Sequence, residues 1–263
     1  MNAYWAVVSA RFRMLLQYRA AAAAGLGTQL FWGLIRVMIF EAFYRTSTVQ
    51  QPISLPDVVT YVWLGQAFLG LQPWGVDRDI RDQIRSGTVA YELMRPLNLY
   101  FFWYARAMAF KTAPTLLRSV PLLLVAGLFL GLTPPASWAA TGAFLAAVLG
   151  ALLLSSAITT LMNISLLWTL SGDGVTSLVP ACVIVFSGMV VPLPLFPDWA
   201  QPILNLLPFR GLVDVPFRLY LGHIPPGALL PLLGHQLAWT GILVLIGQVV
   251  LSRGTRRLVV QGG

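Results

Sequence analysis

Apolar positions in this chain gather into long runs separated by short polar breaks. Residues 20–43, 57–75, 105–132, 138–163, 175–190 and 228–251 are predominantly apolar. A helix needs about 20 such residues to cross a bilayer. The pattern therefore predicts an all-α integral membrane protein: six transmembrane helices in a single domain over residues 1–263. The fifth run is short for a full crossing. Arg106, Lys111 and Arg118 interrupt the third, and Pro114 and Pro121 are expected to kink it. Residues 1–19 read as an amphipathic helix, with Trp5, Val8, Phe12 and Leu15 on one face and Arg11, Arg13, Gln17 and Arg19 elsewhere. Such a helix lies in the membrane interface with its arginines at the headgroups. A signal peptide is the rival reading, opposed by the long apolar run after it, which has no cleavage pattern.

The pattern breaks at residues 191–226. Nine of the 18 prolines fall between Val191 and Pro231, and the apolar pieces between them, Trp199 to Leu207 and Leu212 to Leu221, are too short to span. Non-helical backbone at membrane depth must be buried in protein or line a wet cavity. The segment is expected to form re-entrant outer helices ahead of the last span. A further full span from about Leu195 to Leu219 is opposed by Pro202, Pro208, Pro216 and Arg210.

Polar residues concentrate in one place. The chain carries 17 basic and 9 acidic residues, and nine of these are Asp77, Arg78, Asp79, Arg81, Asp82, Arg85, Glu92, Arg95 and Arg106. Ile80 and Ile84 are four apart, as are Arg81 and Arg85, which gives a short helix one apolar stripe and separate charged faces. Ser86 and Gly87 close it, and Pro96 stops any helix beyond them. A short charged helix between two spans suits docking on a soluble partner; a solvated loop capping two helices is the plainer alternative. Within the spans, a charge at mid-membrane costs on the order of 3 kcal/mol and usually faces protein or water. Arg36 is therefore a candidate for a cargo path or an intersubunit contact, although it could instead snorkel to the interface; Asn163 and Trp63 are further candidates for the path. Trp63 and Trp74 also suit interface anchors. Glu41 and Arg45 are spaced to pair, and Ser171 to Gly174 reads as a tight inner turn.

Composition narrows the chemistry. Mean hydropathy is +0.76, with 57% hydrophobic and 10% charged residues, which excludes a soluble domain. Lys111 is the single lysine and Phe110 stands where a P-loop needs glycine, so any ATP must be hydrolysed elsewhere. One cysteine and two histidines give no disulfide and no metal-ligand spacing. Ser187 lacks the glycine context of an intramembrane serine protease. The acids away from the charged run fall at span ends or in loops, which disfavours a proton-coupled carrier. Net charge is +8, yet the arginines border spans, where they set topology and do not bind nucleic acid. Arg11, Arg13, Arg19, Arg78, Arg81, Arg85, Arg95, Arg253, Arg256 and Arg257 fall on one side, against Arg45, Arg210 and Arg218 on the other. The positive-inside rule then puts both termini and the charged run in the cytoplasm.

Ile84 to Leu97, read IRSGTVAYELMRPL, is similar to the SGT…LLRP segment of bacterial permeases, and Leu193 to Trp199, Leu207-Pro208-Phe209 and Tyr220-Leu221-Gly222 add a second match. With the order of spans, the chain resembles the permease subunits of type-2 ABC exporters over essentially its whole length. The resemblance implies an inner-membrane protein that pairs with a second permease, identical or related, and with two cytoplasmic P-loop ATPase subunits. ATP and Mg would sit on those partners, with no cofactor in this chain. Residues 77–95 would be the coupling segment, carried by Asp77, Arg78, Asp79, Arg81, Asp82, Arg85, Ser86, Gly87, Glu92 and Arg95. The cargo would be a drug, antibiotic, lipid or glycan, exported between the two permeases. An ATP-independent carrier or channel is the alternative.

Overall fold

A computed structural model describes residues 3–17, 19–169 and 173–255. Among them the regular structure is helical, in eleven α-helices joined by loops and 3₁₀ turns: α1 (Ala3–Leu15), α2 (Arg19–Thr46), α3 (Leu55–Ala67), α4 (Arg78–Arg85), α5 (Ala90–Leu93), α6 (Leu99–Phe129), α7 (Trp138–Thr169), α8 (Asp173–Phe186), α9 (Gln201–Leu206), α10 (Asp214–Tyr220) and α11 (Leu229–Thr255). The expected turn at Ser171 and Gly172, and Arg256 and Arg257, lie outside the described residues.

Four segments are long and apolar enough to cross a membrane: Ala22–Thr46, Leu99–Phe129, Trp138–Thr169 and Pro226–Thr255. The other two expected spans are shorter helices, each for a local reason. α3 starts at Ser54, whose hydroxyl accepts the Asp57 amide, and its residues from Thr60 to Ala67 are all buried. It stops after 13 residues. Its continuation to residue 75 is a 3₁₀ turn and loop whose carbonyls are taken by side chains. Lys111 Nζ donates to Gln72 O at 2.9 Å, Trp74 Nε1 to Leu69 O at 2.7 Å, and Ser155 Oγ to Leu71 O. Irregular backbone is tolerable at this depth because protein satisfies it. α8 ends where Gly188 turns to φ +85. A Cβ there would be strained and would stand 2.6 Å from Tyr61 Oη.

α6 begins at Leu99, earlier than the expected 105, because Asn98 caps it and accepts the Phe101 amide at 3.3 Å. Its 31 residues make it about 46 Å long at 1.5 Å per residue. Pro114 and Pro121 both lie inside it. α7 also outruns its expected end at 163, reaching Thr169. It is the central helix: 67% of its most apolar window is buried, against 11% for α2 and for the last long helix. Around it pack Tyr61 and Leu64 of α3, Phe217 and Tyr220 of α10, and its own Phe144, Leu154 and Met162. Gln236 of α11 donates to Ala147 O of α7 and to Gly211 O. Phe31, Trp32, Met38 and Ile39 on α2, and Leu124 and Leu128 on α6, are exposed, as expected of surfaces that meet lipid or another subunit.

Residues 191–226 hold short pieces, none long enough to cross. They are 3₁₀ turns Leu193–Leu195, Asp198–Ala200 and Pro208–Leu212, with α9 and α10 between and after them. α10 is held in the core by Tyr220 Oη, which donates to Thr133 O, and by the Ala136 amide on Tyr220 O.

Candidate functional site

The charged run folds as the spacing of its isoleucines predicts. Asp77 caps α4 by accepting the Asp79 amide at 3.0 Å. Ser86 and Gly87, at φ +75, close it. Ile80 is 0% exposed and Ile84 6% exposed. They pack into a cluster with Val89, Trp103, Ile164 and Leu166, which α1 flanks with Tyr4 and Val7. Asp82 and Arg85 point away and are exposed.

The spacing did not predict the knot at the start of α4. Arg106 of α6 donates through Nε and one terminal nitrogen to Asp77 Oδ2, at 3.1 and 2.9 Å, and to Asp79 Oδ2 at 3.0 Å. Its other terminal nitrogen stands 3.9 Å from Glu92 Oε1. Glu92 is buried and its second oxygen accepts Trp103 Nε1 at 2.8 Å. Arg11 of α1 reaches Asp79 at 2.6 Å and Asp77 at 3.5 Å. The Asp77 amide donates to Asn163 Oδ1 of α7 at 2.8 Å. Two guanidinium groups and three carboxylates thus tie α1, α4, α5 and α6 at one point, and the Asp77 amide adds α7 through Asn163. The hydrogen bond from Arg11 leads the causes that hold the Asp79 carboxyl below its ordinary value of 3.8. A charge network with its groups this well paired rigidifies the elements it joins. α4 is therefore seated as a stiff peg and not as a flexible loop.

The outward side of this platform is mixed. Arg78, Asp82, Arg85, Ser86 and Arg95 are exposed, and so are Tyr91 at 71% and Met94 at 80%. The Arg95 guanidinium lies 5.3 Å from the Phe102 ring centroid. Large apolar side chains rimmed by charges are the make-up of a docking surface.

The three residues placed on a cargo path do not converge. Trp63 is 0% exposed, donates to Leu130 O at 2.9 Å, and packs with Leu122 and Ala126, so it neither anchors an interface nor faces open space in this conformation. Asn163 belongs to the charge knot. Arg36 donates to Met189 O at 3.2 Å instead of reaching toward the surface alone. It lines a cleft of about 320 Å³ with Thr28, Gln29, Trp32 and Gln66. Gln29 and Gln66 are buried at 3% and 2% exposure, so this cleft between α2 and α3 carries polar groups at the depth of the spans. Glu41 and Arg45 pair at 3.9 Å. Among the described residues, no three of His, Cys, Asp and Glu come together as a metal ion would need.

Sequence reasoning missed Arg11, Trp103, Tyr91, Gln29 and Gln66. It placed Trp5, Val8 and Phe12 on one face of α1, whereas the protein-facing stripe holds Tyr4, Val7 and Arg11, spaced i, i+3, i+7, and Trp5 is 62% exposed. The spacing of 4, 7 and 11 was the available signal.

A family model described as ABC-2 family transporter protein matches residues 30–262. No curated protein and no solved structure matches the chain.

Proposed function

Because the chain belongs to the ABC-2 family of transporter proteins, we propose that it is the permease subunit of an ATP-driven exporter. It is a multi-pass membrane protein and a transport subunit, and ATP hydrolysis belongs to partner chains that bind ATP and Mg. In this reading two cytoplasmic P-loop ATPases dock on residues 77–95, and a second permease, identical or related, completes the path. Both termini and α4 lie in the cytoplasm of a cell with this protein in its inner membrane, with α1 along the interface. The remaining short helices, α9 and α10, close the outer side.

One observation carries the reading. α4 is held by its buried stripe and its charge knot while Arg85, Tyr91 and Met94 face outward. A push on that outward face would pass through Asp77 and Arg106 into α6, and through Asn163 into α7, the central helix. Motion of the ATPases would then reach the spans without deforming a loop. The cleft at Arg36, with Gln29 and Gln66, is the segment of the cargo path this chain supplies. Its polar side chains, Thr28, Gln29, Arg36 and Gln66, beside Trp32 and Leu69, suit an amphiphilic cargo whose acceptor group takes hydrogen bonds from Arg36.

The test is co-purification of the chain with its ATPase and measurement of stimulated ATP hydrolysis. Tyr91→Ala with Met94→Ala, and separately Arg85→Glu, should weaken ATPase association at least tenfold and leave the permease inserted and folded. Undiminished association and stimulation in both variants would remove the docking assignment.

A further inference from the structure

A cavity of about 620 Å³ lies between the ends of α1 and α2, the loop before α4, and the middle of α6. Four basic side chains line it: Arg78 and Arg81 of α4, and Lys111 and Arg118 of α6. Among the described residues, no acid lines it. Of the acids adjacent in sequence, Asp77 and Asp79 are engaged by Arg11 and Arg106, and Asp82 is exposed and outside the lining. Among the described side chains, none of the four forms an ion pair. The Nε atoms of Arg81 and Arg118 are buried with no hydrogen-bond partner among the described residues. Lys111, 3% exposed, donates to Gln72 O. The remaining wall is mixed: Phe110, Pro114 and Leu117 of α6 form an apolar side, and Gln72, Thr159 and Thr176 add neutral polar groups. α2 makes room for it: a Cβ at Gly25 would stand 2.6 Å from the Arg118 guanidinium carbon.

Unpaired arginine donors in a partly buried site are costly. Guanidinium groups are matched by phosphate oxygens, which accept two parallel hydrogen bonds from each fork. Basic pockets between spans take anionic headgroups. We propose that this cavity binds a phosphate-bearing anionic headgroup, with the hydrocarbon attached to it lying along Phe110, Pro114 and Leu117. Arg78 and Arg81 ride on α4, whereas Lys111 and Arg118 sit on a long span. The occupant therefore bridges the peg and the span from a side other than the charge knot. Which leaflet supplies it is set by the orientation of the chain in the membrane; the binding itself does not depend on that orientation.

The test uses the purified full chain in zwitterionic detergent, titrated with dioleoyl phosphatidylglycerol and, in parallel, dioleoyl phosphatidylcholine, with bound lipid counted by native mass spectrometry. A discrete phosphatidylglycerol adduct is expected, with phosphatidylcholine bound far more weakly. Arg81→Gln with Arg118→Gln should weaken phosphatidylglycerol binding at least about tenfold, the worth of a single charged hydrogen bond. Arg81→Lys with Arg118→Lys should fall between, since an ammonium keeps the charge but not the fork. If the double glutamine variant is not monodisperse, Arg81→Gln alone serves, with a loss of several-fold. Inorganic phosphate at matched ionic strength separates the sources: displacement of the lipid assigns the site to phosphate itself, and retention assigns it to headgroup and chain together. Equal binding of the two lipids, or unchanged phosphatidylglycerol binding in a folded glutamine variant, overturns the proposal.

Discussion

Replacing Arg106 by methionine tests whether the knot at the start of α4 holds the platform together. Methionine keeps much of the side-chain length and removes the fork. Arg106 is 7% exposed, and it faces Asp77 at 15% and Glu92 at 4%. Removing one partner of a buried ion pair costs about 3–5 kcal/mol, because the other charge stays buried. Three features reduce this. Arg11 remains 3.5 Å from Asp77, and Asp79 is 61% exposed, so its share is about 0–1 kcal/mol. Glu92 keeps the hydrogen bond from Trp103. The expected loss is about 3 kcal/mol, at the low end of the range. Reversible unfolding of the purified chain in detergent measures it, in a double-mutant cycle with Asp77→Asn. The cycle should return a coupling of about 1–3 kcal/mol. Arg106→Lys should fall between, since an ammonium keeps the charge but cannot serve Asp77 and Asp79 as a fork does. A loss under about 0.5 kcal/mol for Arg106→Met, or an additive cycle, would refute the claim that these groups act as a unit.

The Asp79 carboxyl is held below 3.8, so its contribution is complete above that value and disappears as pH falls through the lowered one. Unfolding midpoints of Asp79→Asn should therefore lie below those of the unaltered chain by a constant gap from about pH 5 to 8, and the gap should close in stronger acid; a gap that varies with pH near neutrality would contradict this. Gly33→Val should destabilise by about 1–3 kcal/mol, the usual cost of overpacking, because the Trp63 ring fills the space a Cβ would need; an unchanged midpoint would show that the ring can move aside. Arg36→Leu should change which cargoes are exported while ATPase association stays intact, and an unaltered export profile would remove Arg36 from the path.

Several parts of this arrangement could be read from residues alone and others could not. α4 was legible because Ile80 and Ile84 repeat at helical spacing inside a charged stretch, and its glycine end is marked by Gly87. The knot was not, because Arg11 lies 68 residues from Asp79, and Asn163 lies 86 from Asp77; single-chain spacing carries no signal of such pairings. Hydropathy placed the long helices but overstated α3. An apolar run buried in protein looks the same as one facing lipid, and only the partners of the Leu69, Leu71 and Gln72 carbonyls separate the two cases. Trp63 was misplaced for a similar reason: tryptophan suits interfaces, and here its ring and its indole nitrogen are both satisfied inside. The proline-rich stretch was legible as broken, since Pro202, Pro208, Pro216 and Arg210 together oppose a continuous span, but the burial of α10, which holds Pro216 in its first turn, came from its contacts.

The wide sequence separation within the knot also bears on biogenesis. As the chain leaves the ribosome, Arg11 and the two aspartates near residue 77 emerge well before Arg106, and Asn163 arrives later still. The early segments must wait at the insertion machinery with their charges hydrated until α6 and α7 have been made.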